Sequence, residues 1–466
     1  MKILVLSSNK SGGGKTTFTI GLMKALKNRG YDVQGFKSGP DYIDPAFHKR
    51  VTGKDSRNLD LFLMGEEGFK EAFNRGKGDF AVVEGVMGLY DGKGISDDFS
   101  TYSTSKALNN APIILVLSPK AQSLTFCAEL KGLIEFRNAN IKGIVLNNVN
   151  KMYYILLKKL VEENLNIKVF GFIPSTEDLS LKSRHLGLVQ SVEVLDLDEK
   201  IELCAKLIEE NIDMNSLIEA FEEVDLKEES NEIDNNAFKN FKELNEKEDY
   251  NKAFKDIKWK EKNESFEVPN LGLKIGVALD KAFNFYYKEN LECLEALGKV
   301  TYFSPLKDKS IPKDLDFLYI GGGYPEVFKE ELSKNKTMLN SIKKELEKGL
   351  PCYGECGGLM YLTEEIEDFE MVGFFNGKSY MTEKLNNFGY AEIDFNDMKI
   401  KCHEFHKSKT ETHEEPVFNI SKENYTGTLK TWKCGYEKKN TLAGYPHIHF
   451  FSNMEFLKYI LRLEKR

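Results

Sequence analysis

Short apolar runs alternate with amphipathic stretches from residue 1 to about residue 195. The runs are rich in β-branched residues and continuous, which is typical of parallel strands buried on both faces. The predicted strands are residues 3–6, 33–36, 80–83, 113–117, 144–146 and 169–173. Because the intervening segments are long enough for crossover helices, the pattern predicts a doubly wound α/β sheet.

The pattern stops between residues 221 and 267, where Lys, Glu and Asn dominate. Such a composition buries little apolar surface, so we interpret the segment as a charged linker. A second α/β pattern begins at 273–279 and continues with predicted strands at 317–320 and 351–353. We therefore predict a first domain at 1–220, a linker at 221–267 and a second domain at 268–466.

Composition narrows the class of protein. The 466 residues include 65 Lys and Arg and 73 Asp and Glu, a net charge of −8, which disfavours nucleic acid or a membrane as the main partner. The seven Cys form no CxxC pair. Neither a signal peptide nor a run of about 18 apolar residues is visible. We expect a cytoplasmic protein whose thiols stay reduced.

The first predicted strand leads into SSNKSGGGKTT (7–17), ahead of an amphipathic helix pattern at 18–27. This is the context of a P-loop, in which backbone N–H groups and a helix N-terminus face phosphate oxygens. Lys15 would neutralise phosphate charge and the Thr16 hydroxyl would bind Mg²⁺. The other expected nucleotide contacts are Gly12, Gly13, Gly14, Thr17 and Lys10. A solvated lysine is an equal alternative for Lys10, and Ser8 replaces the usual leading glycine.

Acidic residues follow two of the predicted strands. Glu84 begins EGVMGLYDG, and the stiff loop GPDYIDP carries Asp41 and Asp44. Because ligands bind beyond the carboxyl ends of parallel strands, we expect these carboxylates beside the P-loop. An Asp in such a loop can be a simple turn former. Two carboxylates in one short loop nevertheless favour a Mg²⁺ or substrate role.

A second candidate site lies in YGECGG (353–358), where Cys356 stands between two glycines after a predicted strand. The G-x-C-x-G spacing is typical of the sharp strand-to-helix turn that presents a nucleophile. We expect the helix N-terminus to lower the pKa of Cys356 and the Gly357 N–H to stabilise an oxyanion. Gly322 and Gly323 are candidates for the second oxyanion donor. A buried, inert thiol is the alternative.

A thiolate nucleophile usually needs an imidazole partner. The segment YPHIHF carries His447 and His449, and HEFH carries His403 and His406. The C-terminal pair is better placed in sequence, with His447 ahead of His449. Lone histidines are more often structural, so the pattern alone leaves the identity of the base open.

With these motifs the chain resembles the cobyrinate a,c-diamide synthases, a family of glutamine-dependent amidoligases, over nearly its whole length. The segments that carry the resemblance are SGGGKTT (11–17), FKSGPDYIDPAFH (36–48), EGVMGLYDG (84–92), SRHLGLV (183–189), ALDKAFNFYY (278–287), GGGYPE (321–326), YGECGGLMYL (353–362), HEFHKS (403–408) and YPHIHF (445–450). The combination of GPDYIDP, RHLGL and the cysteine segment is specific for this family. The linker is longer and more charged than the family pattern.

The resemblance implies a dethiobiotin-synthetase-like P-loop domain and a class I glutamine amidotransferase domain. It implies that Cys356 attacks the glutamine amide while His447 takes the thiol proton. ATP with Mg²⁺ would phosphorylate the a and c carboxylates of cobyrinate in cobalamin biosynthesis, and ammonia would displace phosphate. The implied partners are a cobyrinate-type corrinoid, L-glutamine and ATP, in a monomer or a homodimer.

The resemblance also implies roles for residues of the first domain. The metal shell would consist of Thr16, Asp41 and Glu84, and Asp44 would position the substrate or the metal. Asn147 matches the position expected near the nucleotide base. The implied substrate contacts are Tyr42, Arg184 and His185. Local basic residues, with Lys37 among them, would offset the net negative charge toward a polycarboxylate substrate.

Two other functions share some of these motifs. The same chemistry on another tetrapyrrole, Ni-sirohydrochlorin or hydrogenobyrinate, would use the same carboxylates and ATP. A partitioning-type ATPase switch with a non-catalytic C-terminal domain is the third hypothesis, and Lys10 motivates it. That switch would hydrolyse ATP without glutaminase activity.

Overall fold

A computed structural model describes residues 1–176, 196–224, 226 and 268–462 of the chain. The chain divides into two compact units. The first consists of Met1–Leu61 and Phe69–Leu226, and the second of Phe62–Gly68 and Lys227–Arg466. Within the described ranges, no helix is long and apolar enough to cross a membrane.

The first unit is built on a largely parallel sheet. Its strands are β1 (Lys2–Ser7), β2 (Val33–Ser38), β3 (Arg57–Leu59), β4 (Phe80–Glu84), β5 (Ile113–Leu117), β6 (Ile141–Asn147), β7 (Lys168–Ile173) and β8 (Glu222–Glu223). The order is β3-β2-β4-β1-β5-β6-β7, with β8 antiparallel to β1. The predicted strands are all found, because continuous apolar runs such as β5 are buried on both faces. Strand β3 was not predicted, because it has only three residues and two of them are polar.

Helices connect these strands. They are α1 (Lys15–Asn28), α2 (Asp44–Thr52), α3 (Leu61–Asn74), α4 (Thr101–Ala107), α5 (Leu124–Glu135), α6 (Lys151–Leu165), α7 (Leu197–Asn211) and α8 (Met214–Glu219). Local sequence sets their ends: the Asn150 side chain caps α6 by accepting from the Tyr153 N–H, and Asn166 ends it in the left-handed region. Crossover helices between parallel strands make this the doubly wound sheet that the hydrophobic pattern predicts.

Phe221, the first residue of the predicted linker, belongs structurally to the first unit. Its ring is buried and lies 4.8 Å from the Phe80 ring, and Glu222 pairs with Ile3 across β8 and β1. Residues 227–267, the greater part of the predicted linker, lie outside the described residues. Residues 177–195 do as well, and they include Arg184 and His185.

The second unit has a mixed sheet. Its strands are β9 (Leu273–Ala278), β10 (Phe283–Phe285), β11 (Gly298–Phe303), β12 (Phe317–Ile320), β13 (Gly322–Gly323), β14 (Cys352–Glu355), β15 (Glu365–Ile366), β16 (Phe369–Glu370), β17 (Gly377–Phe395), β18 (Met398–Thr412), β19 (Pro416–Glu423), β20 (Leu429–Lys438), β21 (Thr441–Gly444) and β22 (His447–Ile448). Its helices are α9 (Lys288–Leu297), α10 (Lys329–Lys334), α11 (Lys336–Glu347), α12 (Gly357–Leu362) and α13 (Met454–Ile460).

Two halves of this sheet differ in direction. Strands β11-β9-β12-β14-β21 run parallel, and β20, β19 and β17 continue the sheet antiparallel, with β18 against β17 and β22. The sequence predicted β9, β12 and β14 but not the long β17–β18 pair. That pair has register shifts between Met381 and Asn386 and between Asn386 and Gly389, which interrupt a regular alternation. Strand β18 carries His403 and His406 toward the segment around β22.

Candidate functional site

The P-loop lies between β1 and α1, at the carboxyl end of the parallel sheet. Gly14 has φ 93°, which favours glycine, and a Cβ there would overlap the Asn147 amide. The Asn147 Nδ2 donates to the Gly13 carbonyl over 3.3 Å and to the Ser118 Oγ over 3.0 Å. Asn147 therefore fixes the backbone of the loop from β6.

Lys15 is the first residue of α1 and is buried. Its Nζ donates to the Met87 carbonyl over 2.6 Å and to the Lys10 carbonyl over 3.2 Å. Burial, followed by repulsion from Lys37, lowers the pKa of Lys15 to about 8. Lys10 itself is exposed, and it is its backbone oxygen that accepts from Lys15.

Glu84 ends β4 and is fully buried. Its Oε1 accepts from the Thr16 hydroxyl over 2.5 Å, and its Oε2 lies 2.8 Å from His48 Nε2. The Nζ of Lys37 lies 3.4 Å from the same carboxylate. Burial alone would raise the pKa of Glu84, but Lys37, His48 and Thr16 outweigh it and hold that pKa well below its usual range.

Lys37 also contacts the loop that precedes α2. Its Nζ lies 2.6 Å from Asp44 and 4.0 Å from Asp41. Burial lowers the pKa of Lys37, yet the surrounding carboxylates outweigh burial and raise it. Burial, Asp41 and Glu84 raise the pKa of Asp44 well above its usual range. Three carboxylates thus surround one buried ammonium beside the P-loop.

Asp41 plays a second part in this loop. Its Oδ1 accepts from the backbone N–H groups of Ile43, over 2.7 Å, and Asp44, over 3.0 Å, so it forms the turn that leads into α2. The half-buried Tyr42 lies between these residues. Asp41 therefore forms the turn, as the first interpretation of the loop predicts, and it also belongs to the charged cluster around Lys37, as the second predicts.

The donor set fits a hard cation. Thr16, Glu84 and Asp44 supply oxygen atoms, since the Thr16 hydroxyl also lies 3.5 Å from Asp44 Oδ1. Asp41 joins them only through Lys37. Within the described part of the chain, no group of three or more His, Cys, Asp or Glu could hold a metal by itself. The hydroxyl of Thr16 and the carboxylates of Glu84 and Asp44 suit Mg²⁺, which usually takes one or two carboxylates together with phosphate oxygens and water.

The second site is built on a strained turn between β14 and α12. Cys356 has φ 52° and ψ −102°, and its N–H donates to the Gly444 carbonyl over 2.7 Å. A Cβ at Gly358 would overlap the Ile320 carbonyl oxygen, so only glycine lets the helix start this close to β12. Such strain is maintained by the packing around it and is common at reactive residues.

The expected lowering of the Cys356 pKa is wrong. Burial raises that pKa well above its usual range, and the carboxylates of Glu355, Glu326 and Glu404 add to the effect. The hydrogen bond from the Gly357 N–H lowers the pKa of Cys356, but by less than burial and the carboxylates raise it. The free thiol is therefore held neutral, because it is buried among acidic groups and α12 is only six residues long.

His447 lies beside this turn. Its Nδ1 is 2.9 Å from Glu355 Oε1, and both side chains are buried. A Cβ at Gly322 would lie 2.6 Å from the His447 ring, so the predicted oxyanion loop packs directly on the imidazole. Burial, followed by His406, lowers the pKa of His447 to about 3, so the ring is neutral.

The other histidines occupy different positions. His403 faces His447 across β18 and β22 with ring centroids 5.0 Å apart, and burial lowers its pKa well below the usual value. His406 stacks on Tyr445 at 3.9 Å and lies 2.9 Å from Glu404. His449 lies 3.4 Å from Glu289. Of the predicted candidates, His447 is the one that contacts both the oxyanion loop and the residue before Cys356.

The predicted oxyanion donors meet at the same place. A Cβ at Gly357 would lie 3.2 Å from the Gly323 backbone nitrogen. The backbone nitrogens of these two residues thus lie on neighbouring segments beside Cys356, the arrangement that an oxyanion hole uses. Such a turn can support attack on an amide carbonyl.

Three buried groups were missed by the sequence analysis. Glu355 contacts His447, His48 contacts Glu84, and Glu404 accepts from His406 and from the Trp432 indole over 3.0 Å. Glu355 left a detectable signal, because a charged residue within the fully buried strand β14 needs a partner. His48 and Glu404 gave no such signal, since their partners are distant in sequence.

The two sites define a P-loop nucleotide-binding protein that also carries a glutamine-amidotransferase-type cysteine turn. The profile of the CobQ/CobB/MinD/ParA nucleotide binding domain matches residues 4–189, and that of the CobB/CobQ-like glutamine amidotransferase domain matches residues 274–455. These matches confirm the predicted fold class.

Relatives that match over their full length identify the family more narrowly than the two domain profiles do. Proteins named cobyrinate a,c-diamide synthase from Clostridium acetobutylicum and Clostridium tetani are each 54% identical over 473 residues, which cover 99% of this chain and 100% of each relative. One from Caldanaerobacter subterraneus subsp. tengcongensis is 39% identical over 478 residues, 99% of this chain and 98% of that protein. The chain belongs to the cobyrinate a,c-diamide synthase family, which confirms the resemblance.

Proposed function

We propose that this protein amidates the a and c carboxylates of cobyrinate, with ATP as the activating substrate and glutamine as the nitrogen donor. It is a ligase that forms carbon–nitrogen bonds, and its product is cobyrinate a,c-diamide. The observation that carries the proposal is that the Gly322–Gly323 segment packs against both the His447 ring and Gly357, the residue after Cys356, in a chain that also has a P-loop. The full-length relatives support the same conclusion.

Cys356 attacks the glutamine amide carbon, and its proton passes to His447. The N–H groups of Gly357 and Gly323 stabilise the oxyanion, with Gly322 packed against the imidazole. Ammonia leaves with the proton from His447, and a glutamyl thioester remains. Water, deprotonated by His447, then releases glutamate and restores the thiol. Because the thiol and the imidazole are both neutral at rest, proton transfer accompanies the attack.

The first unit activates the corrinoid carboxylate. A carboxylate is a poor electrophile, so the γ-phosphoryl group of ATP is transferred to it, which gives ADP and an acyl phosphate. Ammonia attacks the acyl carbon, inorganic phosphate leaves and the amide forms. Lys15 and the backbone of Gly12, Gly13 and Gly14, with Thr17, hold the phosphates. Lys10 is proposed as a further phosphate contact, and Asn147 as a contact of the nucleotide.

Mg²⁺ would be held by Thr16 and Glu84 together with Asp44, which lies closer to the Thr16 hydroxyl than the Asp41 expected from the sequence. When bound, the ion neutralises the charge that develops on the phosphates. The grouping of three carboxylates around Lys37 beside the P-loop supports this assignment. Tyr42, Arg184 and His185 are proposed to contact the substrate, and Lys37 to offset negative charge near it. Residues 227–267 are proposed as the linker between the domains, shorter than the predicted 221–267 because Phe221 and Glu222 pack with the first unit.

The test is a substrate panel. Purified protein with ATP, Mg²⁺ and amide-labelled glutamine is incubated with cobyrinate, hydrogenobyrinate or Ni-sirohydrochlorin, and mass spectrometry counts the labelled amides. We expect two labelled amides on cobyrinate. Amidation of another tetrapyrrole alone would reassign the substrate within the same chemistry. Turnover of none of them, with ATP hydrolysis intact, would reject the proposed function in favour of an ATPase switch.

A further inference from the structure

Glu355 is the last residue of β14 and stands directly before Cys356. Opposite Gly444 in the parallel β14–β21 pair, it lies beside the segment that leads to His447. Its side chain is fully buried, and Oε1 lies 2.9 Å from His447 Nδ1. No role predicted from the sequence uses this carboxyl group.

The second oxygen of Glu355 has its own donors. Oε2 accepts from the Ile448 N–H over 3.3 Å, from the Tyr353 hydroxyl over 3.3 Å and from the Tyr319 hydroxyl over 3.4 Å. The carboxyl group is therefore fixed in rotation, with one oxygen toward His447 and the other toward three donors. This orientation links β12, β14 and β22 to the imidazole.

The charge state of Glu355 decides which ring nitrogen of His447 carries the proton. A carboxylate accepts from Nδ1–H, which leaves the lone pair on Nε2. A protonated carboxyl group donates to Nδ1 instead, which places the proton on Nε2. Burial raises the pKa of Glu355 to about 8, so both forms are accessible near neutral pH.

The buried pair of His449 and Glu289 is built differently. His449 Nδ1 accepts from the Phe451 N–H over 3.2 Å, so its proton sits on Nε2, which faces Glu289 at 3.4 Å. The backbone, rather than the acid, fixes the tautomer of His449. In the Glu355 pair, by contrast, the acid contacts the Nδ1 of His447 and also precedes the candidate nucleophile Cys356 in the chain.

We infer that Glu355 is the positioning residue that orients His447 and sets the tautomer able to take the proton of Cys356. The inference rests on the proposed glutaminase reaction. In the attack, the proton moves from Cys356 sulfur to His447 Nε2, and the carboxylate stabilises the imidazolium through Nδ1–H. The proton then leaves on ammonia, so Glu355 itself exchanges none.

The main test is Glu355→Gln. The three donors on the Oε2 side should hold the amide oxygen there, so the amide NH₂ faces Nδ1 and forces the proton onto Nε2. We expect the glutaminase kcat to fall about 10²- to 10⁴-fold, the size of effect expected when an acid that fixes a histidine tautomer becomes an amide. The KM for glutamine and the amidation rate with ammonium chloride should change less than about threefold. Glu355→Asp, which keeps the carboxylate, should recover part of kcat.

Glu289→Gln is the matched control, because it changes another buried acid–histidine pair in the same way and should leave glutaminase activity within about threefold. Glutaminase activity of Glu355→Gln within about threefold of the unmodified protein would overturn the inference. So would an equal loss in Glu289→Gln. Cys356→Ala separates the two proposals: if it keeps glutaminase activity, the proposed function fails first.

A pH profile of the unmodified protein tests the inference even if Glu355→Gln does not fold. The groups that face Glu355 are Tyr286, Tyr319, Tyr353, Cys356, Cys402, His447 and His449. Burial raises the pKa of each of those tyrosines and cysteines, and His447 titrates at about 3. We expect the glutaminase kcat to fall as pH falls through about 8, because Glu355 becomes protonated.

Glu326 provides the control for this profile. Burial raises the pKa of Glu326, near Cys356, to about 7. Glu326→Gln should keep the dependence, and a flat profile would overturn the inference.

Discussion

The P-loop site and the cysteine site place charge in opposite ways. Around the P-loop, a buried ammonium on Lys37 lies among carboxylates, and the pKa of Glu84 is held low. Around Cys356, burial raises the pKa of the thiol and lowers that of His447 to about 3. A site for a polyanion and a metal needs charge before its ligand arrives. A site for proton transfer can stay neutral until the substrate is attacked.

The two sites also differ in how the backbone supports them. The P-loop groups come from the ends of β1, β2, β4 and β6, where parallel strands deliver side chains to one edge. The cysteine turn depends on close packing, with Cys356 in a positive-φ conformation and Gly358 against Ile320. Substitutions should therefore separate the two chemistries.

The largest effect is expected from Cys356→Ala. Glutamine-dependent amidation should fall by at least about 10³-fold, because the nucleophile is removed, while amidation with ammonium chloride should persist. Both rates are measured by product mass. Cys352→Ala, which removes another buried thiol from β14, should leave both rates nearly unchanged. Equal loss of both activities in Cys356→Ala would contradict the division of labour between the sites.

Lys15→Ala should produce the reverse pattern. Without the ammonium at the phosphates, amidation with either nitrogen source should fall about 10²- to 10³-fold, and slow glutaminase turnover should remain. Lys24→Ala is the control, because Lys24 lies on the same helix but pairs with Glu202. Coupled assays of ADP and glutamate give both rates. Intact amidation in Lys15→Ala would remove the phosphate role of Lys15.

A smaller effect concerns pH. Burial lowers the pKa of Lys15 to about 8, and ATP requires its ammonium form. The dissociation constant for ATP should be constant below that pKa and rise up to about tenfold per pH unit above it. Calorimetric titration at several pH values measures it. Lys15→Arg should lose this rise, because arginine stays charged. A rise that persists in Lys15→Arg would assign the titration to another group.

The sequence alone determined the parallel strands, the P-loop and the cysteine turn. Each is a local pattern: an apolar run buried on both faces, glycines at fixed spacing, and a lysine or cysteine at a helix start. The strands β17 and β18 were not predicted from the sequence, because register shifts between them interrupt the alternation of apolar and polar residues.

Only the tertiary structure decided the partners and the charge states. Glu355 and His447 are far apart along the chain, as are His48 and Glu84, and both pairs meet because strand order brings them together. The thiol pKa was predicted in the wrong direction for the same reason. A helix start is visible in the sequence, but the burial and the neighbouring carboxylates that outweigh it exist only once the chain is folded.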